Sequence, residues 1–369
     1  MITPRYVGSE GSSKFGAILR ERVNAYFKDS HIPVKGDARL VPKVVSMLAL
    51  FMVPWILVLS VEMNVWVALL MVIATGAGMA GVGMTVMHDA LHGASSKHPW
   101  LNKLLGGSMY LLGSDVFAWK IQHNVLHHTH TNVDMFDQDI ESRGILRFSE
   151  HAPLKRVHRF QHVYAFFFYG LLTITKLVND FFMLAKVARS GVPGQKVRNV
   201  PVGYATMIGV KLTHVFVFIA LPIWVTPFTW WQVVLGFLVM HFTAGLILGS
   251  VFQLAHVVEG AVQPTPDTAG VIASDWTVHE LLTTSDFAPK NRVITWFTGG
   301  LNYQIEHHLF PYISHLHYAS IAPIVQRTAQ EFGLPYNVKP TMWQALRSHV
   351  RRLWQLGHPA DNTQGLTGA

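Results

Sequence analysis

The sequence predicts an all-α integral membrane protein: four transmembrane helices in two hairpins, with interfacial helices and a helical cap on one membrane face. Three observations predict it. Charged residues make up only 14% of the 369 residues and hydrophobic ones 50%, whereas soluble globular chains carry about 25% charged residues. Mean hydropathy is +0.29. Four apolar runs approach the roughly 20 residues, at about 1.5 Å rise each, that cross a bilayer, and they pair across connections short enough to force antiparallel neighbours.

Taken in order, residues 1–40 carry Arg5, Lys14, Arg20, Arg22, Lys28, Lys35 and Arg39 without an apolar run. They read as a cytoplasmic N-terminal segment, not a secretory signal. The first span is expected at about 44–61, with Lys43 guarding its front end, and the second at about 65–87. Basic residues near the far ends of this hairpin place those ends on the cytoplasmic side. Residues 100–118, interrupted by Lys103, Gly106, Gly107, Gly113 and Asp115, read as interfacial, and residues 133–163 as polar and cytoplasmic. The stretch 163–188 contains Lys176, Asn179, Asp180 and Lys186 and reads as one amphipathic helix lying in the interface. Spans three and four are expected at about 204–225 and 229–257, turning near Pro227. Residues 258–357 have soluble composition and 358–369 read as a disordered tail. No repeat of fixed period occurs, so 1–369 reads as a single membrane domain, with 88–203 and 258–357 cytoplasmic or interfacial.

Composition also excludes functions. Net charge is +8, but Lys and Arg flank apolar runs and form no stripe, which argues against nucleic acid and for anionic lipid headgroups. With no cysteine, disulfides, thiolate zinc sites and cysteine-ligated iron–sulfur clusters are ruled out. Histidine, at 21 residues, is the abundant metal-binding side chain.

The histidines cluster. HDALH at 88–92 places His88 and His92 at i, i+4 on one helix face, where the second span leaves the membrane. HNVLHH at 123–128 offers His123, His127 and His128, and QIEHH at 304–308 offers Gln304, His307 and His308. His256 stands at the end of the fourth span. A lone histidine at a helix end is usually a solvated or hydrogen-bonded side chain. Seven in three clusters on one predicted membrane face point to a metal site. With His256 they supply eight nitrogen donors, twice what one tetrahedral zinc takes, which suits two metals with open positions. Imidazole alone does not choose among iron, zinc and copper.

In this order, and flanked by hydrophobic hairpins, HDALH, HNVLHHTHTN and GGLNYQIEHHLFP resemble the three boxes of the membrane fatty-acid desaturase family. The resemblance runs from the first span to about residue 340. Gln304 at the head of the third box resembles the front-end branch, and TTSDFA at 283–288 and FPYISHLHY at 310–318 look like its bacterial, linoleoyl-CoA desaturase-like members. The resemblance implies a cytoplasmic di-iron site held by His88, His92, His123, His127, His128, His307 and His308, with His256 as the ligand from the last span. Relatives with a stearoyl-type site carry a water-binding Asn four residues before that His; here Phe252 stands there and Gln253 follows. Gln304, Asp89, His279, His315 and Glu306 are read as further ligands or as partners orienting the imidazoles, and Asp134, Asp137, Asp139 and Glu259 lie close in sequence. His214 and His241 fall inside spans, where a charge is costly, and are expected neutral between helices.

The implied reaction is O2-dependent insertion of a cis double bond into a fatty-acyl chain carried by CoA, acyl-carrier protein or a glycerolipid, using two external electrons. An alkyl C–H bond offers acid–base chemistry nothing to work on, so a redox cofactor must carry the step. No HPGG haem motif occurs, implying a separate donor, either ferredoxin or a b-type cytochrome with its reductase. Lys155, Arg156 and Arg159 face headgroups or solvent, or steer an acidic donor. The resemblance places the chain in a bacterial inner membrane with its site on the cytoplasmic side. Two rivals are a histidine-box hydroxylase or monooxygenase acting on a lipid, and a metal transporter; the latter calls for ligands near the bilayer midplane, whereas these clusters lie at or beyond the span ends.

Overall fold

A computed structural model describes residues 4–140, 144–190 and 199–359. Four helices in it are long and apolar enough to cross a membrane: Ala38–Ser60, Val65–Leu91, Val200–Val225 and Trp230–His256. The tail, from residue 360 on, lies outside the described residues.

Polar caps close both hairpins. Asn64 Oδ1 accepts from the backbone N–H groups of Trp66 and Val67, each at 3.0 Å, satisfying donors that a helix start leaves orphaned. Thr229 and Gln232 form a capping box at the start of the fourth span. Trp66, Trp224 and Trp230, all exposed near these turns, occupy the level at which indole rings favour a membrane–water boundary. The outer faces carry exposed Val45, Ile56, Leu70, Leu212 and Leu235, which suits lipid and would be a liability in water.

The second span sits between the first and the fourth, and glycines allow it. A Cβ on Gly78 would collide with the backbone of Leu50 and Phe51, and one on Gly76 would lie 2.5 Å from the Met240 carbonyl oxygen. Two histidines at membrane depth are paired. His214 Nε2 lies 3.0 Å from His241 Nε2, and His241 Nδ1 lies 3.0 Å from Thr173 Oγ1. An N···N hydrogen bond needs one lone pair, so the two rings are not both protonated.

Two expectations change. The stretch read as one interfacial helix is two arms, Arg156–Gly170 and Leu172–Arg189, bent by 73°. The bend comes where Gly170 meets the fourth span: a Cβ on Gly245 would lie 2.5 Å from the Gly170 carbonyl oxygen. The second arm's Asp180 is fully buried and held by Lys211 at 2.6 Å and Lys176 at 3.1 Å. Lys43 does not guard the surface. It is buried, with Nζ 2.8 Å from His315 Nε2.

The cap is built on the ends of the spans. Helix Glu10–Asp29 buries Phe15, Leu19, Val23 and Phe27 at four-residue spacing, one apolar stripe, against Val278, Leu281, Ile305 and Val325. Two short parallel pairings tie distant segments together, Arg5–Tyr6 with Val271–Ile272 and Asp286–Phe287 with Val338–Lys339. Helix Met342–Gly357 closes the rim, where His349 receives the Tyr169 hydroxyl at 2.8 Å and meets the Val257 carbonyl at 2.7 Å.

Gly78→Val should lower the thermal midpoint of the detergent-solubilised chain by the equivalent of about 1–3 kcal/mol of overpacking. Gly209→Ala, where an added Cβ meets nothing within 4 Å, should leave it unchanged or raised by up to about 1 kcal/mol. Equal midpoints for the two variants would mean that the first two spans do not pack as described.

Candidate metal centre

Two wide helical turns aim the first two boxes. The second span winds into a π-helical segment over Val82–Met87 just before His88. The second box lies on another over Ile121–His127, whose winding is closed by His128 N–H donating to the His123 carbonyl at 3.0 Å. In an α-helix of 3.6 residues per turn, the fifth residue on points about 140° away. An i→i+5 turn brings it round, so His123, His127 and His128 share a face; such turns often mark functional sites. Gly299 and Gly300, at φ +62° and +72°, let the third box dock on the second span. A Cβ on Gly299 would lie 2.7 Å from the Met84 carbonyl oxygen.

These elements bring eight imidazoles together. His88, His92, His123 and His307 each offer a nitrogen within 4.8 Å of the others, as do His127, His256 and His308, with His128 joining His307 and His308 in an overlapping set. His88 Nε2 and His128 Nε2 lie 3.0 and 3.2 Å from His123 Nε2. The rings of His128 and His308 are 4.5 Å apart, and Trp119 stacks on His123 at 4.5 Å. Seven of the eight rings are buried, and His92 is half-buried.

Three of the rings are oriented through their outward nitrogens. His127 Nδ1 meets Asp137 Oδ1 at 3.0 Å, His308 Nδ1 meets Glu280 Oε2 at 2.8 Å, and His307 Nδ1 meets the Tyr318 hydroxyl at 3.2 Å. A ring held at Nδ1 presents Nε2 inward. Accordingly, His307 and His308 leave Nε2 buried without a hydrogen-bond partner among the described residues, and His92 Nε2 is likewise unpartnered. Buried orphan nitrogens are costly unless something binds them, so this donor set fits cations held between the rings.

Charge follows the same plan. Burial, then neighbouring imidazoles, holds His92, His123, His128, His307 and His308 well below the usual imidazole range. Neutral imidazole is the metal-binding form. His127 differs: burial lowers it, but Asp137 and Asp139 together outweigh burial and push it up to about 9. Glu280 is pushed well up by burial, and a dication between the rings would favour its carboxylate form.

The other candidates take different places. Asp89 and His315 pair with each other at 2.7 Å, and Asp89 also accepts the His315 backbone N–H at 3.1 Å. Glu306 faces Tyr336, whose hydroxyl it accepts at 3.0 Å and which also donates to Asp286 at 2.5 Å. His279 stands beside Tyr6, ring to ring at 4.9 Å, outside the three imidazole sets. Gln304 is buried one turn before His307 and His308. Phe252 lines a cavity beside the cage, and Gln253 Nε2 donates to the Asp139 carbonyl at 3.0 Å. Asp139 Oδ2 lies 3.5 Å from His127 Nδ1. Sequence reading missed Glu280 and Tyr318. Glu280 lies far from every box in sequence, and only its place after His279 hinted at it; Tyr318 was quoted within FPYISHLHY but given no role.

Against known proteins, the model of the family described as fatty acid desaturase matches residues 64–340. The chain belongs to the fatty acid desaturase family. It is 36% identical over 332 residues to the sn-1 linoleoyl-lipid 6-desaturase of Arthrospira platensis, covering 90% of this chain and 89% of that one. It is 31% identical over 361 residues to the protein of that name from Synechocystis sp., covering 97% and 99%. It is 32% identical over 357 residues to the acyl-lipid (8-3)-desaturase of Physcomitrium patens, covering 96% and 74%. The chain is therefore a fatty-acid desaturase of front-end type.

This desaturase has a cavity of about 610 Å3 that reaches the cage at His123 and Trp119, within the usual roughly 300–1,000 Å3 of small-ligand sites. Met79, Gly83, Met87, Leu112 and Leu248 give it an apolar wall.

Glu280→Gln should weaken metal retention by roughly 10–100-fold, the usual cost of losing an outer partner of a ligating histidine. Metal per chain, measured by mass spectrometry across a chelator titration, reads this. Retention equal to the unaltered chain would show that Glu280 does not orient His308.

Proposed function

We propose that this desaturase uses a pair of iron ions, held by His88, His92, His123, His127, His128, His256, His307 and His308, to insert a cis double bond into the acyl chain of a membrane lipid. One observation carries the ligand reading: Asp137, Tyr318 and Glu280 occupy the outer nitrogens of His127, His307 and His308, leaving the inner ones to converge. The lipid-linked substrate rests on the names of its relatives, which describe linoleoyl-lipid and acyl-lipid desaturases.

When bound, the irons supply the redox chemistry for O2 to accept four electrons and become two waters, two electrons from the substrate's C–H bonds and two from an outside donor. The chain supplies everything else. Its apolar cavity wall takes the methylenes and keeps water from the reacting carbons. Trp119, stacked on His123, lines the cavity where it meets the cage. Asp137 and Asp139 bring negative charge to the His127 side of the cage, offsetting the cations' charge. The donor is a separate ferredoxin or a b-type cytochrome with its reductase. The orientation that accounts for the basic residues flanking the spans puts the cage on the cytoplasmic side of a bacterial inner membrane, and the chain acts as one membrane unit.

Fatty-acid profiling of a host expressing the chain should show a product lighter by two hydrogens, and purified protein should contain iron. His127→Ala should reduce product to background and lower bound iron. A product heavier by one oxygen would move the enzyme to hydroxylation. Full activity in His127→Ala would remove that residue from the ligand set, and protein containing only zinc would sink the iron reading.

A further inference from the structure

One helix brings two lysines to the cavity wall. On Leu172–Ser190, Leu172, Lys176, Asn179, Met183 and Lys186 all line the cavity, at three- and four-residue spacing that puts them on one face. Lys176 Nζ donates to Gln122 Oε1 at 2.8 Å, and Gln122 Nε2 donates to Asp139 Oδ1 at 3.0 Å. Gln122 immediately precedes His123, so this lysine is wired to the edge of the cage. Nζ also lies 3.1 Å from Asp180 Oδ1. An ammonium has three donors; Gln122 takes one, and Asp180 pairs with it by charge without a hydrogen bond at Oδ1, so donor capacity is left at the cavity wall. Lys211, the other cation on Asp180, donates to Asp180 Oδ2 and to the Gly113 carbonyl, both at 2.6 Å, and lies outside the cavity lining.

Methylenes carry no feature by which one can be told from the next. An enzyme that oxidises a chosen pair must measure from an end of the chain, and the polar end offers a hydrogen-bond acceptor. We infer that Lys176 is a positioning residue: it donates to the carbonyl oxygen of the acyl linkage, ester or thioester. Its separation from the cage then sets which carbons, counted from that carbonyl, meet the metals. In a site poor in water, a hydrogen bond from a cation to a carbonyl is strong enough to hold the register. The inference rests on the desaturase reading above and adds the residue that determines regiochemistry.

The test compares the unaltered chain with Lys176→Met, Lys176→Arg and Lys211→Met, each in a host fed linoleic acid, with protein amount measured alongside. New double-bond positions are determined by mass spectrometry. Glycerolipid and acyl-CoA pools are analysed separately at early times: product appearing first in glycerolipid identifies an ester carbonyl, and in acyl-CoA a thioester. The unaltered chain should give one position. Lys176→Met should displace or spread it, with apparent KM in isolated membranes raised roughly tenfold, as for loss of a hydrogen bond to a charged group. Lys176→Arg should keep the original position. Lys211→Met removes the other cation on the same carboxylate and should lower protein amount while leaving the position unchanged. An unmoved position in Lys176→Met, or an equal displacement or loss of product in Lys211→Met, overturns the inference. If Lys176→Met accumulates but makes nothing, the arginine variant decides: the original position supports the inference, and any other result ends it. An unaltered chain that makes no new double bond overturns the desaturase reading, and this inference with it.

Discussion

The crowding of eight imidazoles into one cage depends on three of them being held at Nδ1 by a carboxylate or hydroxyl. The rings of His127, His307 and His308 would otherwise flip or tilt, and their inward lone pairs would lose their common focus. Asp137, Tyr318 and Glu280 prevent this, each supplied by a different part of the chain. The cost of burying so many polar groups falls on the fold, which must deliver every partner to within hydrogen-bond distance.

The membrane half of the molecule is arranged around that demand. A close contact at Gly76 holds the second span against the fourth, Gly78 holds it against the first, and Gly245 seats the bend at Gly170 on the fourth, so the ends that carry His88 and His256 are fixed relative to one another. Polar groups that the bend and the spans must bury are matched locally, His214 with His241 and Asp180 with two lysines. The Asp89–His315–Lys43 chain then clamps the loop after the third box onto the first two spans. It is a structural strut rather than part of the cage.

The cavity connects the two halves. Its apolar side comes largely from the spans, and the arm beyond the 73° bend adds Lys176 and Lys186 to the polar groups around it. A chain with a polar head and a featureless tail fits a site whose polar groups stand beside the histidine cage. The bend matters for this reason, since a straight interfacial helix would not turn the Lys176 face toward the cage.

The sequence by itself determined the membrane class, the four apolar helices, the family and the histidine boxes, because hydropathy and local spacing are properties of contiguous residues. It also marked 163–188 as amphipathic, but not that the stretch bends at Gly170, because the cause is a glycine contact with a helix far along the chain. Only tertiary structure decided that Glu280 and Tyr318 orient box histidines while Glu306, inside a box, faces Tyr336 and Asp286. It alone turned Lys43 inward and brought His128 onto the face of His123. Each of these is a contact across long sequence separation, or a local change of helical winding, and neither leaves a periodic trace in the order of residues.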